Sequence, residues 1–332
     1  MNIAHRRGMT KRLCAILFAC ALHGAAGAGA EVYPSRPITI VVPAAAGGPS
    51  DTVARIVSER MRVLLGQTII IENMGAAAGS IGVARVARAA PDGYTLSIGN
   101  WATHVVNGTI YADRFDLLRD FEPIALLSSN PAVIVAKSTM PANDLRGLID
   151  WLKANPDKAS SGTSGVGGPG HVFGVFFQTV TGTRFQFVPY RGGSPAMQDL
   201  LAGQTDLIIA SPPDALPHIH SGRIKAYAVT AKQRLVAAPD IPTVDEAGLP
   251  GFYTLLWYGL WAPAGTPKDV IAKLNEAVVG AMTDDAVRHK LGDLGQEVYP
   301  REQSTPEALG AFQKAEIEKW GPIIKAANIK AQ

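Results

Sequence analysis

The chain has 332 residues, of which 47% are hydrophobic, 18% charged and 7% aromatic. Such a length holds two ordinary domains, and the hydrophobic content excludes a disordered chain. The formal net charge is +3, but four of the 31 basic residues fall within the first twelve, which leaves 27 against 28 acidic residues in the rest of the chain. Because nucleic-acid binding needs a basic face for the phosphates, this near-neutral body argues against a nucleic-acid partner.

The first thirty residues predict an export signal. Four basic side chains precede an apolar run at 13–22, and Ala28-Gly29-Ala30 follows as a small-residue cleavage site. These are the three parts of a secretory signal peptide, and ten apolar residues are too few to cross a hydrocarbon core about 30 Å thick. We expect residues 1–30 to be removed by cleavage near Ala30. Arg6-Arg7 leaves a twin-arginine route open, and the residues before Cys20 leave a lipoprotein route open.

The remaining chain alternates short apolar runs with segments of helical periodicity. Strands are predicted at 38–42, 68–72, 95–98, 133–136, 207–210 and 224–229. Helices are predicted from Ser50 or Asp51 to Gly66, from Ser80 to the turn at 91–93, at 145–154, around 172–180, from Ser194-Pro195 to Gly203, and after Thr266-Pro267 and Thr305-Pro306. This alternation predicts an α/β fold with doubly wound sheets in two domains.

The sequence carries no set of catalytic or cofactor-binding residues. The spacing Gly165-x-Gly167-x-x-Gly170 matches a dinucleotide fingerprint, but it does not follow a predicted strand and it contains Pro169. His218 and His220 lie two residues apart and would point to different sides of a helix, which disfavours a metal site. Both cysteines lie within residues 1–30, so the mature chain would have no thiolate. We therefore expect a protein that is not an enzyme and uses no cofactor.

Loops of small residues that lead into helix starts recur at 43–51, 75–80, 160–170 and 191–195. The first turn of a helix offers unpaired backbone N–H groups and a partial positive charge, and glycine lets a ligand approach the backbone closely. Each loop alone is also an ordinary feature of α/β folds. Together they predict a crevice for carboxylates at the carboxyl ends of the strands.

From Tyr33 onward the chain resembles one known family in order and over nearly its whole length. The matching segments include Tyr33-Pro-Ser-Arg-Pro-Ile, Val41-Val-Pro, Ala90-Pro-Asp-Gly-Tyr-Thr-Leu, Asp120-Phe-Glu-Pro, Val188-Pro-Tyr-Arg-Gly, Glu246-Ala-Gly-Leu-Pro-Gly-Phe and Ala262-Pro-Ala-Gly-Thr-Pro. They resemble the periplasmic solute receptors of tripartite tricarboxylate transporters, the Bug family.

This resemblance implies a type II periplasmic-binding-protein fold, with two doubly wound lobes joined by two crossing strands. Residues 31–130 and 254–332 would form lobe 1, and residues 131–253 would form lobe 2. It also implies a monomer in the periplasm that captures a small carboxylate for the permease subunits of a membrane transporter.

The same resemblance places the ligand between the lobes. It implies first-lobe contacts from Ala44, Gly47, Gly48, Asn100, Trp101 and Thr103, and second-lobe contacts from Ser161, Gly162, Thr163, His171, Tyr190, Arg191 and Ala210. Arg191 is either a ligand partner or a solvated charge at the rim. Asp51 is interpreted as a helix cap, because a carboxylate would repel the ligand.

Two features bear on the choice of ligand. Ala210 stands where the family often has Asp, and an amino acid would lose a partner for its ammonium group on burial there, at a cost of about 1–3 kcal/mol. Trp101 either stacks on an aromatic ligand or packs inside its lobe. These features predict an amine-free carboxylate, aromatic or dicarboxylic.

Two other functions remain as alternatives. A sensory receptor that reports ligand occupancy to a membrane signalling partner has the same sequence features as a transport receptor. An exported hydrolase would need a nucleophile and a base, and no spacing in the chain supplies that pair.

Overall fold

The computed structural model describes residues 32–330. The chain divides into two units, residues 1–35 and residues 36–332, and the four described residues of the first unit lie outside helices and strands. The predicted export signal, with both cysteines, lies outside the described residues. Within the described part, no helix has the length and apolar character needed to cross a membrane.

The strands are β1 Ile38–Val42, β2 Ile69–Asn73, β3 Thr95–Asn100, β4 Phe121–Pro131, β5 Val133–Lys137, β6 Ser160–Thr163, β7 Gln186–Pro189, β8 Leu207–Ala210, β9 Ile224–Val229, β10 Leu255–Pro263 and β11 Glu297–Val298. The six strand predictions are confirmed to within two residues at each end. The sequence did not predict β4, β6, β7, β10 or β11.

The helices are α1 Pro49–Leu65, α2 Ser80–Ala87, α3 Asn107–Ile110, α4 Leu145–Ala154, α5 Pro169–Thr181, α6 Gly193–Leu201, α7 Pro212–His220, α8 Lys268–Met282, α9 Asp285–Asp293 and α10 Pro306–Ala326. One turn of π-helix, Ala102–Val106, joins β3 to α3, and single 3₁₀ turns occupy Ala77–Gly79 and Arg301–Gln303.

Three predicted helix starts are wrong by one to three residues, and the hydroxyl contacts explain two of them. α1 begins at Pro49 with Gly48 as its cap, because the Ser50 hydroxyl accepts a hydrogen bond from Asn100 instead. α8 is capped by Pro267, because the Thr266 hydroxyl donates to the Pro263 carbonyl. α6 begins at Gly193 rather than after Ser194.

The other predicted helix ends that depend on capping are confirmed. Thr305 caps α10 by accepting a hydrogen bond from the Ala308 N–H, and α1 ends on the left-handed Gly66, with φ 66°.

The strands form two mixed sheets with the same internal order. The first sheet reads β2-β1-β3-β10-β4-β11 and the second reads β7-β6-β8-β5-β9. In each sheet the first three strands are parallel, and the fourth is antiparallel to its neighbours on both sides. That fourth strand, β10 or β5, is the first strand the chain forms after passing over from the other sheet. We call each sheet with its packed helices a lobe.

Two short segments carry the chain between the lobes. β4 of the first lobe ends at Pro131 and β5 of the second begins at Val133, with only Ala132 between them. The return runs from the end of β9 at Val229 to the start of β10 at Leu255. The two-lobed α/β fold with two crossing segments is therefore confirmed. The lobe boundaries at 130/131 and 253/254 stay predictions.

Candidate ligand-binding site

A cavity of about 280 Å³ lies between the two lobes. On the first-lobe side it is lined by residues at the ends of β3 and β4, including Asn100 and Asn130, and on the second-lobe side by the ends of β6 and β8, including Thr163 and Ala210. The parallel strands β3, β6 and β8 all end at this cavity, which is where doubly wound sheets bind ligands. Its volume lies just below the range of about 300–1,000 Å³ for drug-sized ligand sites, which suits a small molecule.

Four helix N-termini face this cavity. Ser50 of α1, Gly170 of α5, Gly193 of α6 and Ser211, the cap of α7, all line it. Because backbone N–H groups in a first turn have no helical acceptor, the starts of α1, α5 and α6 can donate to an anion. α7 begins with Pro212-Pro213, which carry no N–H, so its start adds no such donors. The loops at 43–51, 160–170 and 191–195 therefore reach the cavity as expected.

The loop at 75–80 does not reach that cavity. Ala77 and Ala78 instead line a second cavity, beside Asn107 and Tyr111. The fourth helix start at the cavity is that of α7, which the sequence did not predict to lie there.

A chain of polar side chains fixes the first-lobe wall. The Asn100 amide nitrogen donates to the Ser50 hydroxyl at 2.9 Å, and the Asn100 amide oxygen accepts from the Thr103 N–H at 3.1 Å. Ser50 also forms a hydrogen bond with the Tyr258 hydroxyl of β10. Burial raises the pKa of Tyr258 to about 12, the negative charge of Asp214 adds to the rise, and the bond with Ser50 opposes it. Tyr258 is therefore a neutral hydroxyl at physiological pH.

A second polar chain orients Asn130. Gln296 accepts a hydrogen bond from the Ser128 hydroxyl at 3.0 Å and donates from its amide nitrogen to the Asn130 amide oxygen at 2.8 Å. The bond from Gln296 occupies the amide oxygen of Asn130. No described residue accepts from the Asn130 amide nitrogen, which leaves it as a donor for a bound molecule. Neither residue was predicted, because 166 positions separate them in the sequence.

Most of the remaining cavity wall is apolar, and the wall carries one charge. Phe173, Met197, Ile208 and Leu256 supply apolar surface between the polar groups. Asp214 is the only charged side chain among the described residues that line the cavity. An anionic ligand would therefore be held by neutral donors rather than by an ion pair.

Of the thirteen predicted ligand contacts, four line this cavity: Asn100, Gly162, Thr163 and Ala210. Three more predicted contacts, Ala44, Gly47 and Gly48, lie in the loop just before the lining residues Pro49 and Ser50. Gly47 donates its N–H to the Asp51 carboxylate.

Asp51 is not the cap of α1. Gly48 holds that position, and Asp51 lies in the first turn, where its carboxylate accepts from the Gly47 N–H at 2.8 Å, from Arg55 at 3.0 Å and from Asn73 at 3.1 Å. These hydrogen bonds lower the pKa of Asp51, although desolvation, the largest single influence, opposes them. The carboxylate thus fixes the loop ahead of the helix rather than contacting the cavity.

Trp101 does not line the cavity, which favours packing over ligand stacking, the two alternatives that the sequence left open. Its side chain is 0% exposed, with its ring 4.7 Å from the Phe173 ring and 5.1 Å from the Trp320 ring, centre to centre. Phe173, which the Trp101 ring contacts, does line the cavity. Trp101 is buried because the π-helical turn after β3 directs this part of the chain into the core where the two lobes meet.

The other predicted residues lie outside the cavity lining. The Thr103 hydroxyl accepts from the Asn100 N–H at 3.0 Å, and Ser161 is fully buried. His171 accepts from the Gly167 N–H at 3.0 Å through Nδ1, and burial lowers the pKa of His171, which favours that neutral form. Tyr190 donates to Asp199 at 2.6 Å. Arg191 is exposed next to the lining residue Gly192.

Two α/β lobes that enclose a small cavity at the ends of their strands define a solute-binding protein. The family model described as the tripartite tricarboxylate transporter family receptor, TctC, matches residues 53–329. The chain belongs to this family, which is a family of periplasmic binding proteins and not of enzymes.

Three solved structures are similar over nearly the whole chain, each with a TM-score of 0.78. The periplasmic binding protein BugD is 39% identical, covering 90% of this chain and 100% of its own. MatC from Rhodopseudomonas palustris, with bound malate, is 38% identical and covers 88% and 100%. A second R. palustris protein, with adipate, is 32% identical and covers 90% and 99%. The family and the fold expected from the sequence are confirmed.

Proposed function

We propose that this receptor is exported to the periplasm, captures a small organic dicarboxylate between its lobes, and delivers it to the membrane subunits of a tripartite tricarboxylate transporter. The convergence of three helix N-termini with free backbone N–H groups, those of α1, α5 and α6, on one interlobe cavity carries the proposal. Ser50, Asn100, Asn130, Thr163 and Tyr258 would supply the side-chain donors.

The chemistry of the wall favours a molecule with charged ends and an apolar middle. Neutral donors and helix N-termini bind carboxylates without the desolvation cost of a buried cation. The apolar surface of Phe173, Ile208 and Leu256 suits a hydrocarbon segment between them. Two relatives whose structures contain malate and adipate carry ligands of this kind. An aromatic acid has less support, because Trp101 is buried.

Delivery requires that a loaded receptor differ from an empty one. A ligand that contacts both lobes binds the closed arrangement better than an open one and shifts the population toward it. The lobes already approach at the rim, where a Cβ atom added at Gly295 of the first lobe would lie 3.3 Å from Cβ of Pro212 of the second. Membrane subunits can then read closure as a signal of occupancy.

The test measures binding of succinate, malate and adipate to the mature protein by calorimetry and thermal shift. A bound dicarboxylate at a hundred times its Kd should add about 2.7 kcal/mol to the free energy of unfolding. Asn130→Asp keeps an acceptor for Gln296 but turns the inward donor into a negative charge, so the Kd should rise about tenfold or more. Asn155→Asp adds the same charge far from the cavity and should leave the Kd unchanged.

Transport is tested in cells. Uptake of the bound dicarboxylate should fall on deletion of the gene and return with the wild-type chain but not with Asn130→Asp. Failure of all three acids to bind, or uptake that is indifferent to deletion, contradicts the proposal.

A further inference from the structure

The single charge on the cavity wall belongs to the ligand site rather than to the surface. Asp214 lies in the first turn of α7, three residues after the cap Ser211, and its side chain lines the cavity between the lobes. No lysine, arginine or histidine accompanies it among the described lining residues. A site for carboxylates that carries one carboxylate of its own must repel part of what it binds, unless the ligand presents something else there.

The contacts of Asp214 leave much of its hydrogen-bonding capacity unused. Its Oδ2 accepts from the Ser211 hydroxyl at 2.7 Å, and of the described residues only Ser211 donates to this carboxylate. An ionised carboxylate has about four acceptor positions. Oδ1 accepts no hydrogen bond from a described residue, and Asp214 lines the cavity.

Two neighbours show that the carboxylate is held at the interlobe space. A Cβ atom at residue 193 would lie 2.6 Å from Asp214 Oδ2, so Gly193 leaves the room that the carboxylate occupies beside the start of α6. On the opposite lobe, the negative charge of Asp214 contributes to the raised pKa of Tyr258. Asp214 and Tyr258 therefore line the same cavity from opposite lobes.

We infer that Asp214 is a specificity-determining residue, and that it accepts a hydrogen bond from a hydroxyl or ammonium group that the dicarboxylate ligand carries in addition to its carboxylates. The inference rests on the proposed function. A methylene group at this place would leave a half-buried carboxylate unsatisfied, and a ligand carboxylate would be repelled. A hydroxyl or ammonium donor satisfies it, and a hydrogen bond to a charged acceptor is among the stronger ones.

Asp214 bears on the ligand preference that Ala210 suggests. The strand end at Ala210 offers no acid, which by itself favours an amine-free ligand. Asp214 follows four residues later, after the turn into α7, and lines the same cavity as Ala210. An acidic partner for a ligand donor is thus present, supplied by the helix instead of the strand.

The competing explanation is that Asp214 only stabilises the start of α7. Asp144 does this for α4, where its carboxylate accepts from the Gly147 N–H at 2.7 Å, far from the cavity. Asp144→Asn is therefore the matched control. A purely structural role would make both substitutions lower stability and leave the order of ligand affinities unchanged.

The experiment uses ligands that differ at one carbon by H, OH or NH₃⁺: succinate, malate and aspartate, then glutarate, 2-hydroxyglutarate and glutamate. Calorimetry on the wild type should show that a hydroxyl or amino member of one set binds about tenfold or more tightly than its unsubstituted parent. Asp214→Asn and Asp214→Ser should each remove that preference, with the parent acid bound as well as or better than before. Asp144→Asn should keep it. The member that binds best distinguishes hydroxyl from ammonium.

Each other outcome overturns a defined statement. A wild type that binds parent acids as well as or better than their substituted forms overturns the role of Asp214 and leaves the proposed function in place. A preference that persists in a folded Asp214 variant does the same. Binding of none of the six acids overturns this inference and counts against the proposed function.

Discussion

The Ala132 backbone N–H donates a hydrogen bond of 2.8 Å to the Thr230 hydroxyl. This bond joins the two segments that cross between the lobes. The Thr230 backbone N–H donates to the Ala132 carbonyl at 2.9 Å, and its hydroxyl also lies 2.9 Å from the Thr254 carbonyl. Thr230 and Thr254 are fully buried. One threonine thus fixes both crossing segments at the point about which the lobes would move.

Replacement of this hydroxyl should destabilise the protein. Thr230→Val keeps the volume but leaves the buried Ala132 N–H without its acceptor, which should lower the free energy of unfolding by about 1–3 kcal/mol. Urea denaturation measures the change. Thr179→Val removes an exposed hydroxyl bond within α5 and should change stability by no more than about 0.5 kcal/mol. Equal effects of the two substitutions would contradict a special role for Thr230.

A side chain at the rim should hold the lobes apart. Gly295 has φ 67° and faces Pro212 of the other lobe, so Gly295→Asn should weaken dicarboxylate binding about tenfold and keep the radius of gyration large in the presence of ligand. Gly222→Asn tests the backbone effect alone, because Gly222 has φ 71° and nothing within 4 Å of an added Cβ. X-ray scattering with calorimetry gives both readouts. A normal affinity in Gly295→Asn would show that closure at this rim is not required.

Trp101 should contribute to stability and not to ligand choice. Its ring is buried against Phe173 and Trp320, so Trp101→Phe should lower the free energy of unfolding by about 1–3 kcal/mol. The relative affinities for benzoate and succinate should stay the same. Trp151→Phe, at a half-buried position on α4, should cost less. A selective loss of benzoate binding in Trp101→Phe would restore the ligand-stacking interpretation.

Acid should destabilise the protein through His104. This side chain is 0% exposed and stacks on Trp261 at 3.9 Å between ring centres, and burial lowers its pKa from 6.5 to about 3. The unfolded chain therefore takes up a proton below pH 6.5 that the folded chain refuses, so stability falls as the pH is lowered through this window. One such group accounts for about 2 kcal/mol between pH 6.5 and pH 5.

Urea denaturation at both pH values checks this dependence. His104→Asn should be less stable at neutral pH and should lose less stability on acidification than the wild type. The same pH dependence in both proteins would assign the effect to other groups.

Export should yield a mature chain that begins at or near Glu31 and behaves as a soluble monomer. The intact mass of the periplasmic protein measures the start, and light scattering measures the oligomeric state. A lipid-modified Cys20 at the new N-terminus would contradict cleavage near Ala30, and retention of Met1 would contradict export by a cleaved signal.

The local pattern of the chain was enough to predict many of its elements. Three local features were predicted correctly: the apolar run at 38–42, the glycine that ends α1 at residue 66, and the Thr305 cap of α10. Because each acts within a few residues, it could be predicted without the tertiary structure. The recurrence of small-residue loops before helices likewise predicted three of the four helix N-termini at the cavity. Local patterns predicted two α/β domains, and family resemblance added that two crossing segments join them.

The sequence by itself determined the alternation of strands and helices and the supply of neutral donors, because both depend on short-range chemistry. Tertiary structure decided which of these groups meet. Asn130 is oriented by Gln296, 166 residues away, and Tyr258 faces Asp214 from a strand that follows the second lobe entirely. It also decided that Trp101 is buried in the core and that Asp214 lines the cavity. Burial depends on which elements pack against a side chain, and those elements are distant in the sequence.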